Sequence, residues 1–369
     1  MTATGRATRH HVSSELPDEV SCAVSEMIRK ARTPGLSVVV VDSGSVIHSA
    51  SYGLADIERG RPVIASTSFL WFSMSKLVTA TAALRLADEG VLDLAAPIDQ
   101  YVEYLRAPGV VQPTMRQLLT HTAGLTNPLP VRWVHPAGTT SPPANVLLRR
   151  LMDRRLYRRT IGGSASYTNV GYLAAGEVMA AATGERFETL VRRLVLDAVG
   201  MRHTGFAQPE ETDMATGYVR LPWVATPVLR AVLPGGLVGA RHGSLVAMKP
   251  FQVDGPAYGG LVGTAIDAGR FLRMHLNDGE LDGVRVLRPE TARSMRTISH
   301  PGKPFDHGVG WFRRPTSSPE RWVEHFGSGV GYWNVMRLYP DRGLGVAIMS
   351  NGTRALDFEP VMTYLVNSL

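Results

Sequence analysis

Short runs rich in β-branched residues lie near both ends of this chain, and this placement constrains the fold more than any other feature. Near the start, residues 35–42 and 46–52 flank the turn Ser43-Gly44, which predicts a β-hairpin. Four more strands are predicted near the end, over 308–313, 321–326, 332–339 and 344–350. Strands at both ends with helices between them predict an α+β fold, with one sheet built from both termini.

The middle of the chain is predicted to be an inserted, mainly helical domain. Apolar periodicity predicts helices over 15–32, 73–89, 114–121, 144–159, 169–183, 186–199 and 355–368. We expect residues 1–70 and 258–369 to form an α/β sandwich domain, and residues 71–257 to form the helical one. Residues 219–256 are apolar, rich in Pro and Gly and expected to be irregular; they either pack between the domains or cover the substrate as a lid.

Composition limits the class of protein further. The 369 residues are 44% hydrophobic and include one cysteine, Cys22, so an internal disulfide is impossible. No run reaches the ~18–20 apolar residues that a membrane span needs. The first twenty residues lack the apolar segment of a secretory leader. We therefore expect a cytoplasmic protein without a membrane span.

Arginine supplies most of the net charge of +7, and six arginines cluster between Arg149 and Arg159. Together with interspersed leucines they predict an amphipathic helix with a basic face. A solvated surface is the simpler interpretation, and a docking face for an acidic substrate or partner is the alternative. Aromatic residues do not alternate with these arginines, so no nucleic-acid partner is expected.

An S-x-x-K pattern, formed by Ser73 and Lys76, opens the predicted helix 73–89. Residues three apart share a helix face, so the Lys76 amine can lie beside the Ser73 hydroxyl. A serine hydroxyl needs a base before it becomes a good nucleophile, and lysine can be that base once burial lowers its pKa. An N-cap serine followed by a surface lysine is the alternative interpretation.

A Y-x-N pattern, formed by Tyr167 and Asn169, stands just before the predicted helix 169–183. A tyrosine oxygen can relay protons between a nucleophile and a leaving group. An asparagine amide can hold both a lysine and a substrate carbonyl. The same pattern recurs at Tyr332 and Asn334, but there it falls inside a predicted strand, so we set it aside.

Three H-x-G triplets occur, and only the one at His325 and Gly327 ends a predicted strand. A histidine on a strand at the edge of a cleft can bind a substrate carboxylate or relay a proton. A packed or surface histidine is the alternative, as it is for any single histidine.

The three patterns in this order resemble the serine β-lactamase-like and penicillin-binding family, which includes class C β-lactamases, D-alanyl-D-alanine carboxypeptidases, and related carboxylesterases and acyltransferases. Flanking segments at 52–56, 118–125 and 259–264 are similar as well. The resemblance runs from about residue 20 to the end. It implies a β-lactamase/transpeptidase-like fold, with an antiparallel sheet flanked by helices plus an all-helical domain.

Residue by residue, the resemblance implies Ser73 as nucleophile, Lys76 as its base and Tyr167 as general acid and base. Asn169 would be a hydrogen-bonding partner, with His325 and Gly327 at the cleft edge. The backbone amides of Ser73 and Ser328 would form the oxyanion hole. No metal or cofactor is expected.

Two positions depart from the family pattern. Position 325 is His where the β-lactamases carry Lys, which is more similar to the peptidase and esterase branches. Phe326 stands where a small residue is usual, and strand alternation should point it away from His325. The absence of a leader argues against a cell-wall or antibiotic-degrading role.

Three functions remain open at this stage. The first is a serine acyl hydrolase of the carboxylesterase or amidase type, acting through an acyl-enzyme on a small ester or amide. The second is a cytoplasmic acyltransferase that passes the acyl group to an amine or alcohol. The third is a non-catalytic scaffold or sensor, which the intact motifs disfavour.

Overall fold

The structure is a computed structural model that describes residues 18–368, apart from 107–108, 110, 141, 153–159, 208–212, 316–319 and 354–355. Its helices are α1 Asp18–Ala31, α2 Ser75–Asp88, α3 Met115–Leu119, α4 Ala144–Met152, α5 Asn169–Thr183, α6 Phe187–Val191, α7 Asp197–Val199, α8 Thr226–Val232, α9 Pro256–Gly259, α10 Ala265–Leu276, α11 Pro289–Arg296 and α12 Glu359–Ser368. A 3₁₀ turn, Phe72–Met74, leads into α2, and another, Trp223–Ala225, leads into α8.

The strands are short in the middle of the chain and long near its ends. They are β1 Gly35–Val41, β2 Val46–Asp56, β3 Arg61–Pro62, β4 Ser68–Leu70, β5 Val134–Pro136, β6 Tyr218–Arg220, β7 Val238–His242, β8 Leu245–Met248, β9 Phe251–Val253, β10 Val262–Thr264, β11 Glu280–Leu281, β12 Val284–Arg285, β13 Asp306–His307, β14 Phe312–Arg313, β15 Val323–Gly329, β16 Tyr332–Tyr339 and β17 Leu344–Ser350.

One eight-stranded sheet joins the two ends of the chain, in the order β13-β14-β15-β16-β17-β1-β2-β3. Each neighbouring pair is antiparallel. Strand β1 lies against β17 with Val38 opposite Ile348, so the first and last long strands are neighbours. The predicted antiparallel sheet built from both termini is therefore confirmed.

Both faces of the sheet are covered, and alternation along β1 shows how. Val38 and Val40 join a core cluster with α1 and α12 on one face. Val39 and Val41 join the larger cluster on the other face, which includes α2, α5 and α10. Because successive side chains of a strand point to opposite faces, a run of valines is suited to a sheet covered on both sides.

Two of the secondary-structure predictions are wrong. Residues 219–256 are not irregular: β6, β8 and β7 form a three-stranded sheet there, and α8 connects two of its strands. Of the predicted strand 308–313, only Phe312–Arg313 (β14) is a strand, because the chain turns at Gly310, whose φ is +78°, between β13 and β14. Glycine adopts this left-handed conformation without steric cost.

Helix α4 carries the described part of the predicted basic face. Arg149 and Arg150 are exposed there, and the Arg149 guanidinium lies 4.1 Å from the centre of the Tyr104 ring. The remaining arginines of that face, Arg154, Arg155, Arg158 and Arg159, fall outside the described residues. No helix in the described part of the chain has the length and apolarity required to cross a membrane.

Candidate active site

Ser73 lies in the 3₁₀ turn Phe72–Met74 between β4 and α2, just before α2 begins at Ser75. The preceding residue, Phe72, has a φ of +46°, which is strained for a bulky side chain. Ring contacts hold Phe72 in place, with centroid distances of 6.3 Å to Phe251 and 6.0 Å to Tyr332. The strained turn leaves Ser73 partly exposed while both of its neighbours are buried.

Lys76 is fully buried, and its amine has three polar neighbours. The Nζ atom lies 3.1 Å from Ser73 Oγ, 2.8 Å from Asn169 Oδ1 and 2.9 Å from the Tyr258 carbonyl oxygen. No carboxylate is among its contacts in the described residues. Burial therefore lowers the pKa of Lys76 well below its ordinary value, because a charged amine without a counter-ion is costly in the interior.

Three tyrosine rings line the rest of the Lys76 pocket. The Nζ atom is 4.9 Å from the ring centre of Tyr167, 5.4 Å from that of Tyr258 and 5.6 Å from that of Tyr172. These rings exclude water from the amine. They also attract a positive charge, so they moderate the cost of protonating the amine during a reaction.

Helix α5 presents Asn169 at its first residue. Thr168 caps the helix, because its hydroxyl accepts a hydrogen bond from the Val170 amide. The Asn169 amide donates to Asn127 Oδ1 at 2.9 Å, which anchors the loop that follows α3. The predicted helix 169–183 is confirmed, and its start places Asn169 against Lys76.

Tyr167 lies just before this cap, and Ser73 forms a side-chain hydrogen bond with it. Burial raises the pKa of Tyr167 above its ordinary value, although the bond with Ser73 partly offsets the effect. Tyr167 is therefore a neutral phenol at neutral pH. Ser73, Lys76, Tyr167 and Asn169 thus converge on one place, although up to 96 residues separate them.

His121 belongs to the same place and was not among the predicted site residues. Its carbonyl oxygen accepts from the Ser166 amide at 2.8 Å, and its Nδ1 accepts from the Thr168 amide at 3.1 Å. Its ring lies 4.6 Å from the Tyr167 ring. His121 therefore holds the backbone on both sides of Tyr167. It lies in the 118–125 segment that supported the family resemblance, which was the available signal.

The Tyr258 carbonyl was also missed, since a backbone oxygen carries no residue-type signal. Two contacts position it: Thr79 Oγ1 donates to the Ala257 carbonyl at 2.7 Å, and Ser75 Oγ accepts from the Leu261 amide at 3.1 Å. Both contacts tie the α9 segment to α2, the helix that carries Lys76.

Strand β15 runs past the nucleophile turn, and glycine allows its close approach. A Cβ on Gly327 would lie 2.0 Å from the Trp71 carbonyl oxygen, and one on Gly329 would lie 2.1 Å from the Phe72 ring. Ser328, between these two glycines, is exposed. The strand therefore reaches Gly329, three residues beyond its predicted end.

His325 is buried, with its ring centre 6.1 Å from that of Tyr167. Its Nδ1 lies 2.7 Å from the Phe326 carbonyl and so donates to it, which leaves Nε2 as an acceptor without a partner among the described residues. Burial lowers the pKa of His325 well below its usual range. The ring is thus a neutral acceptor. Phe326 packs against Phe358 and Trp333 instead.

Asn334, in the pattern that was set aside, is fully buried in β16. Its Nδ2 donates to the Leu70 carbonyl at 2.8 Å, and its Oδ1 accepts from the Ser350 amide at 3.0 Å. Both polar atoms of the Asn334 side chain are therefore used in bonds to the protein backbone. No cluster of three or more His, Cys, Asp or Glu side chains in the described residues is arranged to hold a metal ion.

A serine hydroxyl beside a buried lysine amine is an arrangement typical of enzymes that use serine as a nucleophile. The family model described as Beta-lactamase matches residues 21–369, so the chain belongs to the Beta-lactamase family. Members of this family are serine hydrolases, and this protein is accordingly an enzyme of that class.

Two relatives and one solved structure illustrate the range of the family. A β-lactamase of Pseudomonas fluorescens is 25% identical over 92% of this chain and 94% of its own length. Esterase EstB of Burkholderia gladioli is 29% identical over 91% of this chain and 90% of its own. The structure of EstCE1, described as a hydrolase with promiscuous acyltransferase activity, has a TM-score of 0.72 at 22% identity and covers 91% of this chain and 93% of its own. The β-lactamase/transpeptidase-like fold is thereby confirmed.

Proposed function

We propose that this protein is a carboxylesterase-type acyl hydrolase that works through an acyl-enzyme on Ser73. The observation that carries the proposal is the environment of Lys76. A neutral amine has two N–H groups and one lone pair. Asn169 Oδ1 and the Tyr258 carbonyl accept the two N–H groups, so the lone pair faces Ser73 Oγ at 3.1 Å. A deprotonated lysine in this position is a base for the Ser73 hydroxyl.

In the acylation step, Lys76 removes the proton of Ser73 while Oγ forms a bond to the ester carbonyl carbon. The negative charge that develops on the carbonyl oxygen is stabilised by the backbone amides of Ser73 and Ser328. The carbon–oxygen bond to the leaving alcohol then breaks, and Tyr167 donates the proton that the alcohol needs. The Lys76 ammonium returns a proton to Tyr167. Water hydrolyses the acyl-enzyme by the same proton transfers in reverse.

We assign His325 to substrate binding rather than to the primary base. A neutral ring whose Nε2 lacks a protein partner is suited to accept one hydrogen bond, and it supplies no positive charge for a carboxylate. His325→Ala should therefore raise KM or change substrate preference, while small activated esters still acylate Ser73. Loss of all acylation in a folded variant would contradict this assignment.

An ester substrate is favoured over a β-lactam by two features. Position 325 holds His rather than Lys, and the relative with 29% identity is named an esterase. We expect hydrolysis of p-nitrophenyl acetate or butyrate to exceed that of nitrocefin and of D-Ala-D-Ala peptides. Faster turnover of nitrocefin would replace the esterase proposal with a β-lactamase one.

The decisive experiment is intact-protein mass spectrometry after treatment with a fluorophosphonate. We expect one adduct in the wild-type protein and none in Ser73→Ala. Ser66→Ala, which removes an exposed serine in the same segment, is the matched control and should keep the adduct. An adduct that persists in folded Ser73→Ala would refute the proposal.

Acyl transfer is the second candidate, supported by the described activity of EstCE1. The test is partition of the acyl-enzyme: the protein is acylated with an activated ester, and free acid and transferred product are quantified over a panel of amines and alcohols. Transfer at low millimolar acceptor would favour the acyltransferase, and free acid alone would favour the hydrolase.

A further inference from the structure

Exposed apolar side chains concentrate on one surface of the molecule. Six of the twelve large exposed apolar residues in the described part of the chain lie in two short segments, 129–131 and 223–232. They are Leu129, Val131, Trp223, Val224, Val228 and Val232, and we call them the apolar surface. Leu129 is 82% exposed and Trp223 is 77% exposed. Single exposed apolar residues are ordinary, but a group of this size marks an interaction site.

The apolar surface is held in place by the fold. Leu229 and Leu233 turn inward from α8 and pack on the core, so Val228 and Val232, four residues apart, face outward together. Arg132 joins the two segments, because its guanidinium donates to the carbonyls of Ala231 and Val232. The outward direction of these side chains is therefore built into the packing.

Positive charges surround the apolar surface, and no carboxylate pairs with them in the described residues. The charges belong to Arg132, Arg220, Arg230 and Arg241. Arg241 donates only to uncharged acceptors, the carbonyls of residues 221, 222 and 243 and the Thr226 hydroxyl. Arg132 likewise bonds only to carbonyls, so both guanidinium charges remain uncompensated.

The surrounding sequence reinforces this asymmetry. Residues 104–152 and 214–253 contain no Asp and no Glu. Asp254 is hydrogen-bonded to His135. Asp56 and Glu58 line a cavity with Lys249 at the Lys249 end of the β6-β8-β7 sheet.

The apolar surface lies next to the catalytic cleft. The loop that carries Leu129 and Val131 is anchored at both ends to the site. At one end, Asn127 Oδ1 accepts a hydrogen bond from the backbone amide of Asn169. At the other end, the centre of the Trp133 ring lies 5.7 Å from that of the Tyr258 ring. A partner on this surface would therefore meet the protein beside Ser73.

We infer that the apolar surface docks on an anionic lipid bilayer. An exposed tryptophan and valines ringed by arginine are the side chains that enter the interface between lipid headgroups and acyl chains. Uncompensated arginines are attracted to anionic headgroups. A second copy of this chain is a poorer occupant, because a two-fold contact would place the same positive surface against itself. The inference concerns binding alone and does not depend on the proposed hydrolase activity.

The test is co-sedimentation of the full chain with vesicles of phosphatidylcholine, alone or mixed with phosphatidylglycerol. We expect binding to the mixed vesicles that weakens as salt screens the arginines. The fluorescence of the protein should shift to shorter wavelength on binding, and Trp223→Phe should lose that shift, since Trp223 is the most exposed tryptophan described.

Two variants and one control separate the surface from general effects. Val228→Asp should abolish sedimentation with the vesicles, and Arg230→Glu should weaken it about tenfold. Val284→Asp makes the same change at an exposed valine on the β11-β12 hairpin and should bind like the wild type. Hydrolysis of a water-soluble ester should be unchanged in all three.

Three outcomes would overturn the inference. The first is the absence of binding to anionic vesicles at low salt. The second is equal binding of Val228→Asp and wild type. The third is a dimer in analytical ultracentrifugation that Val228→Asp dissociates, with no vesicle binding by the wild type, which would assign the surface to a second copy.

Discussion

Two buried basic side chains on opposite faces of the central sheet have opposite electrostatic environments. Lys76 lies beside Ser73 among tyrosine rings and uncharged acceptors, and burial lowers its pKa. Arg337 in β16 is bonded to Glu324 at 2.6 Å and to Glu359 at 2.6 Å. Burial would lower the pKa of Arg337, but its bond to Glu359 and the charge of Glu324 raise it instead. Burial thus favours the neutral form of Lys76, whereas its carboxylate partners fix Arg337 in the charged form.

Strand β15 separates the two environments by a single residue. Glu324 faces Arg337, whereas His325, the next residue, faces Tyr167. Successive side chains of a strand point to opposite faces, so the sheet lies between the carboxylate and the lysine. A carboxylate beside Lys76 would stabilise its ammonium form and remove the base. Among the described residues, the face that carries Lys76 therefore places no acid beside the amine, whereas the other face pairs its cation with two.

The largest expected effect comes from Lys76→Met, which removes the amine and retains the volume. We expect kcat/KM for a p-nitrophenyl ester to fall by about 10²–10⁴-fold, the usual contribution of a general base. The thermal midpoint should change little, because removal of a buried amine offsets the loss of its hydrogen bonds to Asn169 Oδ1 and the Tyr258 carbonyl. Lys249→Met, at an exposed lysine, is the control and should retain activity. Near-wild-type activity in Lys76→Met would remove the assigned base.

On the opposite face of the sheet, which carries Arg337, substitutions should lower the stability of the protein rather than its activity. Glu324→Gln leaves Arg337 buried with one carboxylate fewer and should destabilise the protein by about 3 kcal/mol in urea unfolding. Asp341→Asn, in an exposed pair with Arg321, should cost less than about 1 kcal/mol. Equal losses in the two variants would show that burial does not distinguish these pairs.

Variants of His121 test whether displacing Tyr167 lowers activity while the proposed base, Lys76, stays in place. His121→Ala removes the acceptor for the Thr168 amide and should lower kcat by about 10- to 100-fold through misplacement of Tyr167. His121→Asn offers an amide oxygen in place of Nδ1 and tolerates the φ of +60° at this position. It should therefore restore much of kcat, whereas a purely structural defect would lower stability equally in both variants.

The smallest expected effect is a difference between the wild type and Lys76→Met in how the free energy of unfolding depends on pH. The unfolded chain protonates Lys76 below its ordinary pKa of 10.5, whereas the folded protein does so only at lower pH. The free energy of unfolding should thus rise with pH between the folded and unfolded pKa values, by at most about 1.4 kcal/mol per pH unit. Lys76→Met should lose this rise, as followed by urea unfolding over the window. If the free energy of unfolding of Lys76→Met rose with pH as steeply as that of the wild type, Lys76 would be charged in the folded protein.

Glu359 provides the contrast at the acidic end. Burial would raise its pKa, but hydrogen bonds and charges from Arg337 and Arg314 outweigh burial and hold its pKa below 4.5. Its contribution to stability is present above its unfolded pKa and is lost as pH falls through the folded one. The two faces should therefore lose stability over different pH ranges.

Several helices and strands were predicted well from the sequence because residues within or next to them fix their ends. Helix α5 was predicted over the residues it occupies, because Thr168 caps its start and Gly184, with a φ of +71°, ends it. Strands β16 and β17 also have their predicted bounds. The middle strands β5 to β9 were missed, since each is short, and β5, β6 and β9 pair only with strands distant in sequence.

The sequence by itself determined that Ser73 and Lys76 lie together, because three residues of a helical turn place them on one face. The sequence also indicated the family, because the order of its three motifs and the segments beside them resemble those of the serine β-lactamase-like and penicillin-binding family. Only the tertiary structure decided that no acid among the described residues lies beside Lys76, that a Tyr258 backbone oxygen accepts a hydrogen bond from its amine, and that Glu324 and His325 face different sides. Burial and long-range contacts set those properties, and neither is encoded in the spacing of residues along the chain.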